Sequence, residues 1–233
     1  MWRKIFAIEL LKQIQNFGLF QGLSAENLKL MASQALHKKF KQGDLLIGEE
    51  DPIRAFYVVT AGQLKLYKSS SEGREQTLSL LKPGDPFGLC TAFATESFPA
   101  NAMAIEKSAV LIIPGELMEN VAKKEPVLLL NIIQILSQRL KESMTLIESL
   151  SLKEIPARLS TYILDALSRT SEDKRNKLEL TISHRELSKM LGATPEALSR
   201  AFKKMSNDKI LKVEGRVITV LNREEMKTLA EGD

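Results

Sequence analysis

Glu196, Ser199, Arg200 and Lys203 stand three or four residues apart, the spacing that places side chains on one face of a helix. Their groups can read nucleic-acid edges. An arginine donates bidentately to guanine, and a carboxylate accepts from the cytosine amino group. Lys203 and the adjacent Lys204 supply charge for phosphates. On the opposite side of the same stretch, Leu198, Ala201, Phe202 and Met205 form an apolar stripe suited to packing. A Glu-to-Arg pair at i, i+4 is also common on solvated helix surfaces and adds only about 0.2–0.5 kcal/mol. The spacing alone therefore leaves both a reading face and a plain surface open.

The elements needed to hold this face are written locally. Thr194 is a good N-cap and Pro195 suits the first helical position, where no backbone donor is required. Upstream, Ser183-His184-Arg185-Glu186 has the spacing of a capping box, followed by the apolar Leu187, Met190 and Leu191 and then Gly192. Two short helices joined by a glycine turn are predicted, a helix-turn-helix whose second helix enters the major groove with its N-terminal residues toward the bases. Downstream, Ile210-Leu211-Lys212-Val213, the turn Glu214-Gly215 and Arg216-Val217-Ile218-Thr219-Val220 predict a hairpin wing. Ser183, Arg185, Thr194, Lys203, Lys204 and Arg216 are the candidate phosphate contacts. Charge favours the reading face: residues 183–219 hold eight Lys or Arg against four acids, and the remainder balances at 25 of each. The whole formal excess of +4 lies where a polyanion would be met.

At 233 residues, with 44% hydrophobic and 27% charged, the composition is that of a globular chain with two domains. No long apolar run suggests a membrane span, and Glu9 and Lys12 interrupt the basic, apolar start too early for a signal peptide. A cytoplasmic protein is expected. The single cysteine, Cys90, excludes an internal disulfide framework and any four-cysteine zinc or iron–sulfur site within one chain. An enzyme is not expected, since no nucleophile has a convergent histidine and acid.

Periodicity changes twice along the chain. Residues 8–36 read as short helices, with a start at Ser24-Ala25-Glu26-Asn27. Residues 38–113 read as short strands broken by turns at Gly43-Asp44, Ala61-Gly62, Ser71-Glu72-Gly73 and Pro83-Gly84-Asp85, a pattern of antiparallel sandwiches and barrels. Phe56-Tyr57-Val58-Val59 and residues 63–67 are the clearest strands. After Pro114 the chain turns helical, and Ile133, Leu136, Leu140, Ser143, Ile147 and Leu150 occupy successive a and d positions. Such a helix either packs only against its own barrel or also pairs with a second copy through Ile133, Leu136, Leu140 and Ile147. Residues 149–153 read as a hinge, Pro156 as the first turn of the next helix, and Thr170–Asn176 as a charged loop.

The order of elements resembles the CRP/FNR family of bacterial transcription regulators across essentially the whole chain. The implied fold is α+β: a double-stranded β-roll sensor over residues 1–120, a dimerisation helix over 121–150 and a winged helix-turn-helix over 151–233. The Pro195–Arg200 stretch is similar to the family's reading-helix signature. By that resemblance Glu196, Ser199 and Arg200 contact bases in a TTGA-type palindromic half-site. Pro195 replaces an additional arginine of the cAMP-type members, although a TGTGA-like site stays open. The implied partners are double-stranded DNA, a second copy of the chain and RNA polymerase, with no membrane. A β-roll signalling subunit that does not act on DNA is the alternative, but it leaves the helix-turn-helix unexplained.

The resemblance also implies what the sensor lacks. Members that bind cyclic nucleotides carry a glutamate for the ribose and, about ten residues on, an arginine for the phosphate. Here Leu89 holds the first place and Pro99, or Ala100 under a one-residue shift, the second, and no arginine occurs between Arg74 and Arg139. A buried phosphate would lose its charge-assisted bidentate partner, so cAMP and cGMP are not expected. The iron–sulfur branch needs several cysteines and is set aside. A haem sensing nitric oxide or carbon monoxide, or a small organic effector in an apolar cavity, remains. The chain is similar in its reading helix to the denitrification and hybrid-cluster-protein regulators, the nitric-oxide-responsive branch. Phe87, Leu89, Cys90 and Pro99 are the candidate effector pocket. His37 and Cys90 are the first candidate haem ligands, with His184, Met103 and Met144 behind them.

Overall fold

The computed structural model describes residues 10–52, 54–93, 97–168 and 176–231. The basic start at Met1–Ile8 and most of the charged loop, Thr170–Arg175, fall outside them. The chain divides into two compact units, one of residues 1–74 with 78–141 and one of residues 75–77 with 142–233.

In the first unit, helix α1 (residues 10–15) and a 3-10 turn at Gly18–Phe20 lead to α2 (Ala25–Gln34). Ser24 caps α2, its hydroxyl accepting from the Asn27 N–H. Eight strands follow: β1 (Leu36–Phe40), β2 (Leu45–Ile47), β3 (Ala55–Ala61), β4 (Leu64–Ser69), β5 (Glu75–Leu81), β6 (Pro86–Phe87), β7 (Asn101–Ala104) and β8 (Ser108–Pro114). A five-residue helix, α3 (Leu89–Phe93), interrupts them after β6. They form two four-stranded sheets of order β1-β8-β3-β6 and β2-β7-β4-β5. Strand β3 is buried on both faces because it separates two cores. Phe56 and Val58 point into a core shared with the helices, while Tyr57 and Val59 point between the sheets. An unbroken apolar run is what such a strand requires.

Helix α4 (Gly115–Lys124) and the long α5 (Pro126–Leu152), which belongs to this unit as far as residue 141, follow. Leu128 and Ile132 of α5 are buried, and the Asn131 amide donates at 2.9 Å to the carbonyls of Leu19 and Gln21, fixing that face. The heptad positions lie on the outside: Ile133, Leu136, Leu140 and Ile147 are 56%, 46%, 64% and 64% exposed. The expected hinge at residues 149–153 is corrected. Ser149–Leu152 is the last turn of α5, continued by the Lys153 N–H to the Ser149 carbonyl at 3.2 Å. No glycine or proline interrupts that stretch, so the chain breaks only at Lys153 and Glu154, ahead of Pro156.

The second unit holds α6 (Ile155–Ser168), β9 (Lys177–Glu179), α7 (His184–Met190), α8 (Pro195–Asn207), β10 (Leu211–Glu214), β11 (Val217–Val220) and α9 (Arg223–Glu231). Its three strands pair antiparallel in the order β10-β11-β9. The architecture is thus α+β, with a β-roll, a long helix and a C-terminal winged helix-turn-helix. No helix among the described residues is long and apolar enough to cross a membrane.

Candidate nucleic-acid interface

Local chemistry sets both helices of the pair. The Ser183 hydroxyl accepts from the Glu186 N–H at 3.2 Å, opening α7, and the Thr194 hydroxyl accepts from the Ala197 N–H at 3.2 Å, opening α8 with Pro195 in its first turn. Between them Gly192 turns the chain at φ +59, a conformation that costs a residue with a Cβ about 1–2 kcal/mol. Leu198, Ala201, Phe202 and Met205 bury one face of α8, which lies against α6, α7 and β10 of the same unit.

The opposite face is presented outward. Glu196, Ser199, Arg200, Lys203 and Lys204 are all exposed, on a rigid base supplied by the buried stripe. Glu196 lies in the first turn, where its own backbone N–H, the Thr194 hydroxyl and then the Arg200 charge hold its carboxyl below the usual range. It is therefore ionised near neutrality and can only accept hydrogen bonds. Ser183, Arg185 and Thr194 are exposed around the two N-termini. His184 packs its ring 5.1 Å from that of Phe202.

The wing forms as expected. Gly215 turns it at φ +61, leaving Arg216 exposed beside the tip. Glu214 accepts from Lys212 at 2.8 Å, and this bond, with the charges of Lys212 and then Lys177, lowers its pKa. Lys177 is a residue the sequence reading missed. It lies on β9 opposite Thr219 of β11, on the wing sheet. Its signal was present: exposed Lys177 and Glu179 alternate with buried Leu178 and Leu180, the period of a half-buried strand. Of the basic excess, Lys189 is engaged with Glu186 at 3.1 Å, so it is less disposed than the residues of α8 to meet a phosphate.

The expected effector pocket is corrected, because three of its four residues, Phe87, Leu89 and Pro99, are not brought together. Phe87 lies in the inter-sheet core, its ring stacked on Tyr57 at 4.9 Å and edge-on to Phe98 at 6.4 Å. Leu89 packs against the other core, beneath the helices, and Pro99 is exposed. The cause is Gly88, at φ +79, where a Cβ would stand 2.7 Å from Tyr57 Cδ2. The chain reverses there into α3, sending its two neighbours to different cores. The Thr91 hydroxyl secures this turn from 2.9 Å to the carbonyls of both Ala55 and Gly88. Nothing is described for the side chain of Cys90. The core around Phe87 is built of aromatic and aliphatic side chains, and Leu89 and Pro99 bring neither a carboxylate nor a guanidinium.

Of the other ligand candidates, His37 on β1 holds its Nε2 2.9 Å from the Thr60 hydroxyl, and burial and then the Lys39 charge keep its pKa below 6.5. Its ring is therefore neutral, the form that ligates metals, but a haem iron would have to displace Thr60 from Nε2. Met103 lies on β7, and Met144 is exposed on α5. Among the described residues no group of three or more histidine, cysteine, aspartate or glutamate side chains is placed to hold a metal ion.

Two domain families match the chain: a cyclic nucleotide-binding domain over residues 37–125 and a Crp-like helix-turn-helix domain over residues 157–229. A fumarate and nitrate reduction regulatory protein of Vibrio cholerae is 30% identical over 195 residues, covering 83% of this chain and 78% of that protein. The transcriptional activator protein Anr of Pseudomonas protegens is 28% identical over 197 residues, covering 84% and 80%. Among solved structures, FixK2 of Bradyrhizobium japonicum superposes with a TM-score of 0.72 at 26% identity, covering 84% of this chain and 96% of that one. The likeness to fumarate and nitrate reduction regulators corrects the breadth of one expectation. One cysteine excludes a four-cysteine cluster within these 233 residues, and the case against iron–sulfur chemistry extends no further.

Proposed function

Because the chain belongs to the CRP/FNR family of DNA-binding transcription regulators, we propose that it acts in the cytoplasm as a homodimer reading a palindromic TTGA-type site. Glu196, Ser199 and Arg200 contact bases, and Ser183, Arg185, Thr194, Lys203, Lys204 and Arg216 hold phosphates. The observation that carries this is the two-faced α8, whose exposed polar face stands on four buried apolar residues behind a capped N-terminus. The exposed heptad positions of α5 support pairing through that helix, which two-fold half-sites require. The likeness to an activator supports a positive effect on transcription through RNA polymerase. Fluorescence anisotropy on a palindromic TTGA duplex and on a scrambled duplex, each titrated with salt, is the test. Tighter binding to the palindrome at every salt concentration is expected, and equal binding to the two overturns the reading.

The effector in this reading is not a cyclic nucleotide. The filling of the inter-sheet space by Tyr57, Phe87 and Phe98 supports that, as does the place of Leu89 in an apolar cluster. Haem held by His37 or Cys90, responding to nitric oxide, is one class of effector, and a small organic molecule accommodated by the apolar interior is the other. A Soret band in protein purified from haem-replete cells, lost in His37→Ala or Cys90→Ala, identifies the first. A spectrum without that band after haem addition eliminates it.

A further inference from the structure

Arg158, on the first turn of α6, is held on all sides by main-chain acceptors, and nothing in the DNA-reading argument uses it. All three of its nitrogens donate to main-chain carbonyls: Nε to Lys153 at 2.7 Å, one terminal nitrogen to Leu150 at 2.9 Å and the other to Leu191 at 2.9 Å. These acceptors belong to different elements. Leu150 is in the last turn of α5, Lys153 follows its end, and Leu191 is the C-cap of α7, beside the turn that leads into α8. The last carbonyls of a helix have no partner within it and carry partial negative charge. One planar cation thus satisfies the ends of two helices together.

An independent feature marks the same junction. A Cβ on Gly192 would stand 2.6 Å from Leu150 Cδ2 and 3.3 Å from the Arg158 guanidinium. The helix-turn-helix turn and the end of α5 approach as closely as a glycine permits. Since α5 is uninterrupted to Leu152, a tie to its last turn is a tie to the helix that pairs the two copies.

We propose that Arg158 is a positioning residue that fixes the helix-turn-helix to the C-terminal turn of α5 and so sets the separation of the two reading helices in the dimer. This rests on the reading of two half-sites by a homodimer. A lysine cannot replace the fork, because a single ammonium does not present coplanar donors to three separated acceptors.

The test compares the full-length chain with Arg158→Lys and Arg158→Met on four duplexes: one half-site alone, two half-sites at the spacing the wild type prefers, and the same pair with one base pair added or removed. Thermal melts establish that each variant is folded, and Arg158→Lys carries the test if Arg158→Met does not fold. The wild type discriminates between spacings, and the variants are expected to lose that discrimination by about 5-fold or more, the lower bound of coupling between linked sites. Their binding to the single half-site stays near that of the wild type. Unchanged spacing discrimination in the variants overturns the proposal, as does an equal loss on all four duplexes, which marks a merely structural role. A wild type indifferent to spacing overturns the two-half-site reading instead, and the proposal with it.

Discussion

The reading face of α8 and the interior of the β-roll are built on opposite plans. In the DNA-binding unit the apolar residues are spent on a base, and charged side chains stand outward on it: Leu198, Ala201, Phe202 and Met205 are buried while Glu196, Ser199, Arg200 and Lys203 are exposed. In the β-roll, the positions where the resemblance places a charged ligand set are turned inward as packing or left at the surface. Leu89 packs against the core shared with the helices, Pro99 is exposed, and Ala100, its one-residue alternative, lies in the inter-sheet core. The output needs a rigid helix with a polar face, whereas an input site needs groups from several elements to converge on one ligand.

The largest effect that separates base from face is expected at Phe202. Truncating this 7%-exposed ring leaves a cavity and removes its packing on His184, so Phe202→Ala should lower stability by about 3–5 kcal/mol in chemical denaturation. If DNA affinity falls in Phe202→Ala while the unfolding midpoint stays put, the ring belongs to the face and the division fails. Arg200→Ala should do the reverse, leaving the melt unchanged. It should cost about 1–3 kcal/mol on the TTGA palindrome with relaxed preference at one base position. Lys204→Ala should weaken palindromic and random duplexes equally and reduce the salt slope by about one. Equal losses on both duplexes from both substitutions would remove the distinction between base and phosphate contacts.

How much of each plan could be read from sequence follows from the range over which its causes act. Thr194, Pro195, Ser183 and Gly192 determine the helix-turn-helix within a few residues of themselves, so the caps, the turn and the exposed polar face of α8 were all legible. The β-roll interior was not. Whether Phe87 and Leu89 share a pocket depends on the turn at Gly88, whose freedom from a Cβ matters only because Tyr57, thirty-one positions earlier, lies across it. The hinge at residues 149–153 failed for a related reason. Its serines weaken a helix slightly, but the Arg158 guanidinium satisfies the Leu150 carbonyl in that last turn from outside it.

The turn itself offers the next test of the packed input. Gly88→Ala would force a Cβ to 2.7 Å from Tyr57 Cδ2 and to 2.9 Å from the Ala55 carbonyl at an unfavourable φ. A loss of about 1–3 kcal/mol is expected in denaturation. Hydrogen exchange should show it confined to amides of the β-roll. Faster exchange in α7 and α8 to the same degree would mean that the two plans are not energetically separate.

The smallest expected effect concerns His37, where the β-roll does keep a titratable group inside. Burial, and after it the Lys39 charge, lower its pKa in the fold below 6.5. Between that lowered value and 6.5 the unfolded chain binds more protons than the folded one, so stability rises with pH there and is lost as pH falls through 6.5. His37→Gln retains a group able to bond the Thr60 hydroxyl and removes the titration. Its unfolding midpoint should therefore decline less than that of the wild type between about pH 7 and pH 5. An identical decline would place the acid sensitivity elsewhere. A steeper wild-type decline would show that the half-buried place of His37 disfavours the charge of its proton.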